Sequence, residues 1–144
     1  MKKIIALICA AAVFFSLTAC TEQNKPPAKN RTYSFNAIYT TGDFSFDCSI
    51  KWKNSVAFIT VNSTNARGLT ISCDGKTVTF SKDSMIKEMP TDSIDKTNPA
   101  LLLYEVFTAL ENGKSRTSLG AFDITYSEDE IKTIKLSDIV ITRV

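Results

Sequence analysis

The chain contains no histidine. That removes the imidazole base of a Ser-His-Asp triad, histidine metal ligation and imidazole acid-base catalysis. It also lacks a CxxC pair, a P-loop and a Gly-x-Gly-x-x-Gly fingerprint, the short motifs that signal redox or nucleotide chemistry. Three adjacent acids, Glu128-Asp129-Glu130, lack the graded oxygen spacing of a calcium loop and read as a solvated turn. Asp43 and Asp47 fall in a turn and on the polar face of a strand, which suits surface placement better than an acid-base pair. No serine-lysine combination has a distinguishing context. The expectation is therefore a protein with no catalytic residue, no cofactor and no metal site.

Long apolar runs are also scarce. One stretch, Ile4 to Leu17, is fourteen residues long, short of the ~20 that a membrane-spanning helix needs. It follows Met1-Lys2-Lys3 and ends at Leu17-Thr18-Ala19-Cys20. A basic start, an apolar middle and a small residue before the cut describe an export signal. The Leu-Thr-Ala-Cys end resembles the lipobox of bacterial lipoproteins, which implies cleavage before Cys20 and lipidation of its sulfur. Residues 1–19 are thus expected to be a signal peptide, and residues 20–32 a lipidated N-terminus and flexible tether in which Pro26-Pro27 favours extended chain. Acyl chains stabilise membrane attachment by ~0.8 kcal/mol per buried CH₂, so several chains on one cysteine hold durably. The expected location is extracytoplasmic, lipid-anchored to the cell membrane.

Net charge of one sign is missing too. The signal holds two of the 17 basic residues and none of the 15 acidic ones, so the remainder carries no formal net charge. Without a basic block there is no electrostatic footprint for nucleic acid. Of four cysteines, Cys9 falls in the signal and Cys20 takes the lipid, leaving Cys48 and Cys73. Both fall on apolar strand faces. Pairing them is expected to stabilise the fold by roughly 3 kcal/mol in the chain-entropy model; two buried, unpaired thiols are the other outcome.

Strand patterns dominate residues 33–144, a length that supports one small domain. In Phe44-Ser-Phe46-Asp-Cys48-Ser-Ile50-Lys-Trp52 every even position is apolar or cysteine and every odd one polar. Tyr33 to Tyr39 has the same character and a turn at Thr41-Gly42-Asp43, which predicts a hairpin. Val56 to Val61 is a third strand. Asp74-Gly75 predicts a two-residue hairpin turn pairing Ile71 with Val78 and Leu69 with Phe80. Asn98 can cap a helix that starts at Pro99 and stops at Gly113, with Leu102, Leu103, Val106, Phe107 and Leu110 on one face. Strands at 121–126, 131–136 and 139–144 close the domain. The long connection Ser81 to Thr97, with Met85, Ile86, Met89 and Ile94, is expected either to seal the edge of the core or to act as a lid.

Taken in order, the tether, the strands, the Gly68-Leu69-x-Ile71-x-x-Asp74-Gly75 hairpin, the proline-bearing loop, the Asn-Pro-initiated helix and the closing strands resemble the LolA/LolB-like lipoprotein-carrier superfamily. Among its members the chain is most similar to small anchored lipoproteins of Gram-positive bacteria. The resemblance covers Tyr33 to Val144. It implies an α+β, mostly β fold: a curved antiparallel sheet, or half-barrel, with one main helix packed on it. It further implies a cavity that binds a lipid or other hydrophobic ligand without catalysis. The residues it assigns to the lining, by position on apolar faces, are Phe44, Phe46, Ile50, Trp52, Phe58, Leu69, Ile71, Val78 and Phe80, with Met85 and Met89 from the lid. The alternative is a cell-surface scaffold that meets an envelope protein partner and has no ligand cavity.

Overall fold

In the computed structural model the described residues are 31–144. The expected signal peptide, Cys20 and most of the tether lie outside them. Ten strands make one antiparallel sheet: β1 (Tyr33–Thr41), β2 (Phe44–Lys53), β3 (Val56–Val61), β4 (Thr70–Cys73), β5 (Thr77–Lys82), β6 (Met85–Pro90), β7 (Arg116–Thr117), β8 (Gly120–Ser127), β9 (Glu130–Leu136) and β10 (Ile139–Arg143). Among the described residues a single α-helix, α1 (Pro99–Glu111), separates β6 from β7. The fold is α+β and mostly β. Strand order across the sheet is β6-β5-β4-β3-β2-β1-β10-β9-β8-β7. The chain thus meanders from β1 out to one edge, crosses by α1 to the other edge, and meanders back until β10 lies beside β1.

Alternation decides which face is inside. On β1 the residues Tyr33, Phe35, Ala37 and Tyr39 are buried and those between them are not; on β2 the buried set is Cys48, Ile50 and Trp52. A bulge preserves this on β9, where Tyr126 pairs with Ile131 and Thr125 with Thr133, leaving Lys132 as the extra residue. Ile131 and Ile134 can then both point inward although they stand three apart. Left-handed conformations at Asn54-Ser55 and Glu128-Asp129 make the two-residue turns after β2 and β8. The acidic triplet is accordingly a hairpin turn and the residue after it, with Glu130 paired to Arg143 at 2.7 Å.

The helix forms where its punctuation predicts. The Asn98 carboxamide oxygen accepts from the amides of Ala100 and Leu101 at 3.1 and 3.2 Å, and Pro99 sits at the first helical position. Its apolar side packs into the inner face of the sheet, burying Leu102, Leu103, Val106 and Phe107 completely or nearly so. Neighbouring helix residues reach both halves of the sheet. The ring of Tyr104 lies against Gly75 in the β4–β5 turn, and the Glu105 carboxylate accepts from the amide and hydroxyl of Ser118 in the β7–β8 turn. Those turns are seven strand spacings apart, roughly 34 Å on a flat sheet at ~4.8 Å each. The sheet must therefore curl around the helix, yet β6 and β7 remain edges, so it is an open half-barrel.

Three expectations need correction. The β4–β5 hairpin pairs Ile71 with Phe80 and Cys73 with Val78, one step displaced on each strand from the expected register. The loop is Gly75-Lys76, because the Asp74 carboxylate accepts from the amides of Lys76 and Thr77 at 2.9 and 2.8 Å and draws the chain back beneath it. The expected lid is not a loop: β5 runs on to Lys82, Asp83 takes a left-handed φ of 53°, and Met85–Pro90 returns as edge strand β6. Finally, Cys48 and Cys73 are both free and buried, not bonded. Cys48 lies opposite Val61 and Cys73 opposite Ala57, on either side of β3. Two strand spacings across and four residues along put them roughly 16 Å apart, far beyond the ~7 Å limit for a disulfide.

Candidate functional site

The inner face of the half-barrel has two ends of different character. At one end lie the turns after β2, β4 and β8, and here the helix seals the interior. Trp52 stacks on Phe107 with centroids 5.4 Å apart, Tyr33 stacks on the same ring at 5.2 Å, and Tyr104 tilts against Trp52 at 5.9 Å. The indole nitrogen of Trp52 donates to Glu111 at 2.8 Å, which satisfies its one polar atom. The Tyr33 hydroxyl is enclosed without a hydrogen-bond partner. Burial, reinforced by Tyr126, pushes its pKa up to about 12. Ile50, Trp52, Ile71 and Val78, four of the expected lining residues, are 8 % exposed or less and belong to this packed core.

At the other end are the turns after β1, β5 and β9, and here the same face is left partly uncovered. Phe46 stacks on Tyr39 at 5.1 Å and tilts against Phe44 at 5.7 Å. Phe44 is 56 % exposed, Met85 is 68 % exposed, and Phe46, Leu69 and Phe80 are half-buried beside the core. Register places them together: Phe46 and Phe44 overhang the end of β3, Leu69 follows the β3–β4 loop, and Met85 pairs with Lys82 beyond Phe80. Met89, paired with Val78, sits further towards the sealed end and is half-buried. Ten of the eleven expected residues thus share the inward face: four in the packed core, five grouped at the open end, and Met89 between.

Phe58 is elsewhere. It pairs with Lys51 on the outer face, because β3 buries Ala57, Ile59 and Val61 instead. Tyr39, which floors the open end and is almost fully buried, was absent from the expected set; its place in the alternation of β1 is the signal that identifies it. Burial, then the nearby Asp138, raises its pKa to about 12, so it is a neutral apolar wall with a hydroxyl tip.

The two thiols are equally inert. Burial, then Asp47, pushes Cys48 up to about 11, and burial likewise raises Cys73. A thiol held protonated is a poor nucleophile. Alkylating the folded protein with iodoacetamide and mapping peptides should leave Cys48 and Cys73 unmodified at pH 8, with both labelled fully once denaturant is added. Labelling of either in the folded state disproves that enclosure. Among the described residues no three or more Cys, Asp or Glu side chains group as a cation site.

No family model, no curated protein and no solved structure matches the chain.

Proposed function

We propose that this protein is a lipid-anchored, extracytoplasmic lipoprotein that binds a lipid or another hydrophobic ligand, without catalysis, at the open end of its half-barrel. The observation that carries this reading is the group Phe44, Phe46, Leu69, Phe80 and Met85, left partly exposed on a face that is otherwise buried. Covering one such side chain fully gains about 1.5–3 kcal/mol, so an acyl chain laid across several is well held. The Leu17-Thr18-Ala19-Cys20 sequence supplies the anchor, and the resemblance to LolA/LolB-like carriers points to the same class of cargo.

Native mass spectrometry of the full chain extracted from bacterial membranes should show a co-purifying lipid beyond the mass of the Cys20 modification. Replacing Phe44 and Phe46 by serine should abolish that adduct and leave the anchor mass unchanged. A wild-type spectrum with no adduct, together with no uptake of a fluorescent fatty acid, rejects the binding reading.

The scaffold reading rests on a different observation. Edge strand β6 exposes Met85 on one face and Ile86, 71 % exposed, on the other. An edge strand with apolar residues on both faces suits pairing with a strand of an envelope protein. Site-specific crosslinking from position 86 in intact cells distinguishes the two, since a ligand carrier leaves that outward position uncrosslinked.

A further inference from the structure

The outer face of the sheet holds an open trough of about 420 Å³, across β1 to β4 and on the opposite side from the apolar end. Its volume falls within the range of small-molecule sites, ~300–1,000 Å³. Its chemistry differs from that of the inner face. Lys51 and Lys53 stand two residues apart on one side of β2, and no carboxylate lines the trough. Phe58, beside Lys51 in register, offers a half-exposed ring. Hydroxyls complete it: Ser34 opposite Lys51, Ser49, and the Thr60–Thr70 pair linked at 2.9 Å. Ser49 is held between Asn36 at 2.9 Å and Asn62 at 2.8 Å, so this polar row is pre-ordered across the strands.

Each part recognises a different piece of one ligand class. Hydroxyl and amide groups exchange hydrogen bonds with a polyol, an aromatic ring covers the apolar C–H face of a sugar, and two ammonium groups attract an anion. Nucleic acid is a poor fit, because two lysines on a surface without net charge are too few phosphate contacts to hold a polymer. A purely apolar ligand would make no use of the lysines or the hydroxyls that line the trough. We propose that the trough binds an anionic sugar, a single saccharide ring carrying a carboxylate or a phosphate. This site is independent of the apolar end and stands or falls separately from it.

The test uses the full chain, ¹⁵N-labelled, in detergent micelles, titrated in turn with glucuronic acid, glucose 6-phosphate, glucose and inorganic phosphate. One or both of the anionic sugars should shift the amides of Ser34, Lys51, Lys53, Phe58 and Thr60 saturably, with glucose and phosphate each at least tenfold weaker. Both lysines are exposed, so the Lys51→Gln/Lys53→Gln protein keeps its spectrum and melting temperature. Its affinity for the anionic sugar should fall at least tenfold. Phe58→Leu keeps an apolar side chain but loses the ring face, and should weaken binding severalfold. Three results overturn the proposal: phosphate alone matching the sugars, which makes the trough a site for an adventitious ion only; glucose binding as well as the charged sugars; or no saturable shift by either anionic sugar.

Discussion

Replacing Trp52 by alanine should unfold the domain or bring it close to unfolding. Trp52 is 1 % exposed and packs against Phe107 and Tyr104 of α1 near the end of β2. Truncating a buried Trp to Ala costs about 3–5 kcal/mol through lost transfer energy and a residual cavity, against a total stability of about 5–15 kcal/mol for a typical domain. The cost should lie at the upper end because the site cannot collapse easily. Its walls are a β-sheet and a helix tied to it at the two turns held by Tyr104 and Glu105. Trp52→Phe is the control: it keeps most of the ring stack, loses the bond to Glu111, and should cost about 1 kcal/mol for the hydrogen bond plus a smaller packing loss. Urea unfolding followed by circular dichroism measures both, since Trp52 is the only tryptophan and its variants lose the fluorescence signal. Equal losses for the two variants would show that the hydrogen bond, not the stack, holds the helix to the sheet.

Gly75→Ala should be the next most damaging single change, for two separable reasons. Gly75 has φ +90°, and a Cβ there would overlap the Tyr104 hydroxyl oxygen and its ring carbon Cζ. The left-handed backbone costs about 1–2 kcal/mol for a residue with a Cβ, and displacing the Tyr104 ring adds an overpacking penalty of about 1–3 kcal/mol. Together they should lower the melting temperature by roughly 8–20 °C at ~4 °C per kcal/mol. Tyr104→Leu removes the crowding but not the conformational cost. In a double-mutant cycle, Gly75→Ala should therefore be milder in the Tyr104→Leu background by the overpacking share alone. An unchanged cost would place the whole effect in the backbone and contradict the close contact between helix and turn.

The contrast between the two cysteines and the helix shows which features are legible along the chain. Asn98, Pro99 and Gly113 act on backbone groups within four residues of themselves, so the helix could be read with its boundaries. The β1–β2 and β8–β9 hairpins are legible for the same reason: tight turns fix the pairing of whatever lies beside them. Cys48 and Cys73 were correctly placed on one face by parity. Their separation depends on how β2 and β4 register against β3, and that register is a sum over two turns. Edge strand β6 carries no clean alternation in Met-Ile-Lys-Glu-Met-Pro, and it becomes a strand because β5 presents a free edge at the right distance.

The apolar end was visible in its residues but not in its grouping. Phe44, Phe46, Leu69, Phe80 and Met85 could each be assigned to an inward face, together with Ile50, Trp52, Ile71 and Val78. Which of these meet solvent is decided by where α1 lies, and a helix pattern says nothing about where on a sheet its apolar side will dock. Phe58 was misassigned because Val56-Ala57-Phe58-Ile59-Thr60-Val61 is apolar on both faces for most of its length. Only pairing of Ile59 with Ile50 turns Phe58 outward.

The sequence by itself determined eight of the ten strands, the helix and its caps, the inward parity of most strands, and the expectation of a lipidated Cys20. These are local, set by turns, caps and period-two alternation within a few residues. Only the tertiary structure decided that β10 returns beside β1, that the thiols stay apart, that the expected lid is a strand, and that apolar surface remains at one end of the half-barrel. Those outcomes depend on contacts between segments distant in the chain, where packing against a common helix selects one arrangement from several that the local pattern allows.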